Sequence, residues 1–249
     1  MTTLQTTVRH ADDATEERTL TVDRIANCGG SWRTPPTGEE LSILRDAQGS
    51  DFDPTELIVT PKPAHLITTA TEIRVNSATT AGEAEFVLFP TEDRTYLGVG
   101  MDHKDFKVVE GTGIHRGNST CPSVVAPEVW CVADVSDHWD ELQLRSWTGE
   151  AGERERYQEA SLVSFLSPET LIDRVRQRIT APVAGTAIWA GTIGAVDDVI
   201  QGVHPNPTIH HGEYYAVELY DPVLNRRLAT QYDVRLNEWI EGLDLDQES

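Results

Sequence analysis

Lysine is nearly missing from this chain. Only Lys62, Lys104 and Lys107 occur among its 249 residues; its other basic residues are arginines. Against 20 Lys and Arg stand 41 Asp and Glu, a formal net charge of -21 and a sequence pI near 4.6. Such a chain lacks the basic surface that nucleic acids and anionic membranes require. Long apolar runs are also absent: none approaches the roughly 18 residues of a membrane span. Residues 1–17 lack the basic and apolar regions of a secretory signal, so the expected location is the cytoplasm. Cysteine is scarce and odd in number, and the spacings of Cys28, Cys121 and Cys131 fit neither a zinc ribbon nor a C-x-x-C pair. The expectation is three reduced, buried thiols, with Cys28 beside Gly29-Gly30 the one to examine for reactivity. There is no Gly-x-Ser-x-Gly elbow, which argues against a serine hydrolase, and no glycine loop followed by lysine, which excludes a phosphate loop. An acidic, lysine-poor surface suits a high-salt cytosol and predicts a fold that weakens where self-repulsion is unscreened.

A hydrophobic content of 39% supports one large core. Residues 1–18, rich in Thr, Asp and Glu, read as a disordered or frayed acidic N-terminus, 19–56 as a small N-terminal region, 57–240 as the core and 241–249 as an acidic tail. A strand is expected over 20–26 and a short helix from 37 to about 49. Short β segments follow at 57–59, 72–75, 83–89, 95–99, 141–147, 157–161, 186–190, 214–219 and 228–235. Asp221-Pro222-Val223-Leu224-Asn225 is a hairpin signal. One clear helix is expected over 167–179, with Ser167 as cap, Pro168 in the first turn and an apolar stripe of Leu171, Ile172 and Val175. The fold class is α+β, rich in strand.

The chemistry concentrates in Gly82-Glu83-Ala84-Glu85-Phe86 and Gly98-Val99-Gly100-Met101-Asp102-His103-Lys104-Asp105. Residues two apart in a strand share a face, so Glu83 and Glu85 stand side by side. Two like charges on a partly buried face repel and lose solvation, and a divalent cation stabilises them. Asp102, at the start of an expected loop, could add a third oxygen; hard oxygen ligands favour Mg²⁺, Mn²⁺ or Ca²⁺. The same spacing also suits two solvated carboxylates facing outward, and Met101–Asp105 also reads as a solvated turn. Gly98 and Gly100 mark a close backbone approach or a bulge. Gly191-Thr192 is either an anion-facing loop of N–H donors or a plain turn. Gln158 is either a substrate hydrogen-bonding residue or part of a strand edge. His210-His211 has no third histidine at ligand spacing.

In order along the chain, these segments resemble the fumarylacetoacetate hydrolase superfamily. Glu83-Ala84-Glu85-Phe86 is similar to its Glu-x-Glu strand, and Asp102-His103-Lys104-Asp105 to its Asn-Asp-x-(Ser/Thr)-Ala-Arg-Asp loop, shortened. Ser119-Thr120-Cys121-Pro122 is similar to its Cys-Pro segment, Gln158-Glu159-Ala160-Ser161 to its Gln-x-Gly-x-Thr strand and Gly191-Thr192 to its Thr-Gly-Thr-Pro loop. Lys62-Pro63-Ala64 resembles the Lys-Pro-Ser before the core, and 214–234 its closing strand pair. The resemblance implies a mixed β-roll with few helices, usually a homodimer. It implies Mg²⁺ or Mn²⁺ on Glu83, Glu85 and Asp102, and a 2-oxo acid or 1,3-dicarbonyl substrate cleaved through a metal-stabilised enolate. Thr192 and Gln158 would bind substrate. The family's N-terminal His/Glu dyad has no counterpart at Gly29-Gly30-Ser31-Trp32-Arg33, and His115 and Arg116 fall where its lysine is expected. His103 is then the substitute acid/base, with Arg116 keeping the positive charge. C–C bond hydrolysis leads; decarboxylation, hydration and isomerisation share the chemistry, and a non-catalytic binder of small carboxylates is the competing class.

Overall fold

The computed structural model describes residues 1–48, 50–150, 154–193, 196 and 211–237. In chain order the first elements are β1 (Thr2–Arg9), β2 (Thr15–Val22), β3 (Arg24–Gly29), α1 (Gly38–Gln48), β4 (Ile58–Lys62), β5 (Ile67–Thr68) and β6 (Glu72–Val75). The centre of the chain is β7 (Thr80–Pro90), β8 (Thr95–Asp105), α2 (Phe106–Thr112), α3 (Ile114–Gly117), β9 (Ser123–Val125) and β10 (Glu128–Cys131). It closes with β11 (Gln143–Gly149), β12 (Glu155–Ser161), α4 (Pro168–Arg178), β13 (Thr186–Trp189), β14 (Tyr214–Asp221) and β15 (Arg226–Leu236).

Ten strands form one mixed sheet in the order β2-β1-β10-β8-β7-β13-β3-β4, with β9 on β8 and β5 on β9. Five more form a second sheet, β12-β11-β14-β15-β6. The large sheet is strongly curled. Strands β3 and β8 stand three spacings apart, roughly 14 Å on a flat sheet, yet Asn27 Nδ2 donates to Asp102 Oδ2 at 2.8 Å. Its concave face carries one apolar cluster including Leu4, Val8, Ile25, Val87, Tyr96 and Trp189. The other face of β7 and β8 (Ala84, Phe86, Leu88, Leu97, Val99, Met101) packs with Tyr215, Val217, Leu219 and Tyr232 of the small sheet. Among the described residues no helix is long and apolar enough to cross a membrane.

Three expectations are corrected. Residues 1–18 are not frayed: β1 and β2 pair from Thr2↔Val22 to Arg9↔Thr15, and Leu4, Thr6 and Val8 point inward. The 19–56 stretch is not a separate region, because β3 runs parallel to β13 from Thr186↔Arg24 to Trp189↔Asn27 inside the main sheet. Met101–Asp105 is not a loop but the buried end of β8. The β14–β15 hairpin and the helix capped by Ser167 form where expected. Residues 241–249 lie outside the described residues.

Candidate metal centre

Among the described residues β7 and β8 form the longest antiparallel ladder, and its register sets Glu83 opposite Asp102 and Glu85 opposite Gly100. Side chains alternate along each strand, so Glu83, Glu85, Asp102 and Lys104 all project to the concave side. Gly100 lets the walls close in: a Cβ there would meet Val124 O at 2.5 Å and the Trp189 ring at 2.6 Å.

Asp102 is fully buried. Its Oδ1 accepts from Lys62 Nζ at 2.8 Å and from Ser123 Oγ at 2.7 Å. Its Oδ2 accepts from Asn27, and Lys104 Nζ stands 3.3 Å away. Burial pushes this carboxyl up, but the Lys62 and Lys104 ammoniums and the hydrogen bonds from Lys62 and Ser123 outweigh it and hold the group below the usual carboxylate range. Lys104 Nζ also lies 2.5 Å from Glu83. Burial lowers the Lys104 ammonium, yet Glu83, Asp102 and Glu85 together raise it, so it stays charged.

Two ammoniums thus face three carboxylates, and Glu85 bears the excess. Its Oε2 accepts the Gly191 N–H at 2.8 Å. Burial, then Asp102, with a smaller contribution from Glu83, drive its pKa well above the ordinary value, against the opposing pull of Lys104 and Gly191. Three carboxylates on one interior face are the donor set of a hard divalent cation. The Lys104 ammonium, in contact with Glu83 and Asp102, stands where positive charge is already favoured. The donor chemistry suits such an ion, but the three carboxylates do not close to within 4.8 Å of one another; Lys104 stands in contact with Glu83 and Asp102 and would have to swing aside for them to draw together.

The other expected site residues fall differently. His103 points to the opposite face of β8, away from the carboxylates. It is fully buried, its Nδ1 3.0 Å from Tyr232 Oη and its Nε2 3.0 Å from Thr80 Oγ1. Tyr215 and Tyr232 contact the ring edge-on. Burial, reinforced by Lys62, lowers its pKa to about 3, so it is a neutral structural histidine and the acid/base assignment is withdrawn. Arg116 lies on α3 with an exposed side chain and takes no part in the hydrogen bonds around Asp102.

Gln158 is buried and fully engaged. Its Oε1 accepts the Ala84 N–H at 2.8 Å, and its Nε2 donates to Thr192 Oγ1 at 2.8 Å and to Ile193 O at 2.5 Å. Gln158 therefore positions β7 and the segment after β13. Thr192 Oγ1 also donates to Ala84 O at 3.2 Å, and the Gly191 N–H serves a protein carboxylate. His211 Nδ1 lies 2.9 Å from Thr80 O, and His210 lies outside the described residues. Cys28 is buried, and desolvation pushes its thiol far up, which removes it as a nucleophile. A cleft of about 740 Å³ opens instead beside β6 and β15, lined by Glu72, Arg74, His211 and Arg235, with none of the three carboxylates.

Sequence reasoning did not assign Lys104, Asn27 or Ser123 to the site, and knew Lys62 only by resemblance. The scarcity of lysine was a hint in the sequence; only the fold shows Lys62 and Lys104 buried beside Asp102 and Lys107 exposed.

A fumarylpyruvate hydrolase from Pseudomonas aeruginosa, solved with Mn²⁺ and pyruvate, superposes with a TM-score of 0.56 at 13% identity, covering 95% of this chain and 97% of its own. A protein of the fumarylacetoacetate hydrolase family from Yersinia pestis CO92 gives 0.58 at 15% identity, covering 92% and 99%. A 2-keto-3-deoxyarabinonate dehydratase gives 0.56 at 12% identity, covering 90% and 77%. At these identities the likeness establishes the fold, which is the expected mixed β-roll. Comparison with curated proteins finds no match. The family model described as "Protein of unknown function (DUF2848)" matches residues 49–232, most of the chain, and the protein belongs to that family.

Proposed function

We propose that this protein is a divalent-metal-dependent enzyme acting on a 2-oxo acid or a 1,3-dicarbonyl compound. One observation carries the reading: Glu83, Glu85 and Asp102 share one interior face, with too little resident positive charge to balance them. Relatives in fold include an enzyme solved with Mn²⁺ and pyruvate. Glu83, Glu85 and Asp102 would hold Mg²⁺ or Mn²⁺. When bound there, such an ion polarises a ketone oxygen and stabilises the negative charge that develops as a neighbouring bond breaks.

The chain's own residues do the rest. Lys62, Ser123 and Asn27 fix Asp102, and the Gly191 N–H fixes Glu85, so two ligand carboxylates are held before anything binds. The Lys104 ammonium, once moved off Glu83, places a proton-bearing positive charge beside the substrate oxygens. The Thr192 hydroxyl, held by Gln158, turns its proton from Ala84 O to a substrate carboxylate.

C–C bond hydrolysis is the leading reaction. The position of His103 favours a second reading, because no base is thereby nominated to activate water: dehydration or decarboxylation of a 2-oxo acid. A panel of an acylpyruvate, oxaloacetate and a 2-keto-3-deoxy sugar acid, assayed with Mn²⁺, tests both. Turnover by wild type that is lost in Glu85→Gln is expected. Equal turnover by metal-free wild type or by Glu85→Gln contradicts the reading.

A further inference from the structure

The N-terminal hairpin meets the end of β10 in a second cluster of ligating side chains. β1 runs parallel to β10 with Thr7↔Glu128 and Val8↔Val129. Continuing that register brings His10 alongside Cys131, and Asp134 follows on the turn after β10. The hairpin turn fixes His10 from the other side: its N–H donates to Ala14 O at 2.9 Å, and its carbonyl accepts the Asp13 N–H at 3.1 Å. One ligating atom each of His10, Cys131 and Asp134 lie within 4.8 Å of one another, the one such trio among the described residues. Glu16 of β2 adds a carboxylate oxygen 3.8 Å from His10 Nε2.

Two features mark the cluster as unfinished. Asp134 Oδ2 is a buried carboxylate oxygen with no hydrogen-bond partner, which is costly unless a cation is at hand. The Cys131 sulfur is buried within 4.8 Å of an Asp134 carboxylate oxygen, and the Arg94 guanidinium hydrogen-bonds to it. Imidazole nitrogen, thiolate sulfur and carboxylate oxygen are the mixed donor set of Zn²⁺, whose tetrahedral ligands stand roughly 3.3–3.8 Å apart.

We propose that His10, Cys131 and Asp134, with Glu16 as fourth ligand, form a zinc site that fastens the N-terminal hairpin to the main sheet. It is separate from the Glu83–Glu85–Asp102 centre and does not depend on it. Binding removes the Cys131 thiol proton, moves the Arg94 guanidinium off the sulfur and draws the donors together.

Chelator-treated full-length protein titrated with Co²⁺, and then with Zn²⁺ in competition, tests the site. Wild type and Glu85→Gln should both show a thiolate-to-cobalt charge-transfer band that saturates at one equivalent and is abolished by Zn²⁺. Cys131→Ser should lose the band. His10→Gln, at a residue 30% exposed and so tolerant of change, should keep its fold by circular dichroism and bind Zn²⁺ at least tenfold more weakly. Absence of the band in wild type, its survival in Cys131→Ser, or unchanged Zn²⁺ affinity in His10→Gln would overturn the proposal.

Discussion

At the scale of single residues, Lys104 decides how the centre behaves. It is a tethered cation in contact with Glu83 and Asp102, so the metal-free protein is already partly neutralised. Removing one partner of a buried ion pair costs about 3–5 kcal/mol. Lys104→Met should therefore lower the metal-free melting temperature, and Mn²⁺ should restore more of it than in wild type, read by thermal denaturation with and without the ion. Glu85 acts in the opposite sense. Its carboxyl pKa is raised in the fold, so its contribution to stability is present below the unfolded value of about 4.3 and is lost as pH rises through the folded value. Glu85→Gln should accordingly raise the metal-free melting temperature at neutral pH, by about 2–4 °C per kcal/mol relieved. A drop in that midpoint would contradict the electrostatic account. The pair Glu83 and Glu85 was legible because their spacing is a strand rule. The lysines opposing them were not: Lys62 reaches Asp102 from β4, four places away, only through the curl of the sheet, and Lys104 lies in a stretch that reads as a solvated turn.

At the scale of elements, β8 is the instructive case. Asp102-His103-Lys104-Asp105 reads as a solvated turn, yet all four side chains are buried. The strand persists because each polar group has a partner: Lys62 and Ser123 for Asp102, Tyr232 and Thr80 for His103. His103 has a folded pKa of about 3, below its unfolded value. Its stabilising contribution is thus complete above about pH 6.5 and is lost as pH falls from there toward 3. His103→Phe should flatten the pH dependence of the melting temperature across that window; an unchanged slope would return His103 to the list of titrating groups. β12 offers a second test. Gln158→Leu would remove the side-chain acceptor of the buried Ala84 N–H and should destabilise by about 1–3 kcal/mol, measured by urea unfolding. The N-terminal hairpin was missed for a related reason: in β1 the inward positions are Leu4, Thr6 and Val8, and a central threonine hides the alternation.

At the scale of the whole molecule, strand content and the β14–β15 hairpin follow from local pattern, whereas the parallel pairs β1–β10, β3–β13 and β6–β15 join distant segments that no local signal connects. A net charge of -21 predicts a fold sensitive to screening. The melting temperature should rise from dilute buffer to molar KCl, and a flat response would remove the high-salt reading. The central claim is that Glu83, Glu85 and Asp102 together chelate a hard divalent cation, and Mn²⁺ binding followed by electron paramagnetic resonance addresses it most directly. The expected result is one Mn²⁺ per chain in wild type, an altered spectrum when oxalate is added, and loss of that equivalent in Glu85→Gln. Wild type that leaves all the Mn²⁺ free, or Glu85→Gln that binds it equally well, would make the carboxylates a purely structural network held by Lys62 and Lys104.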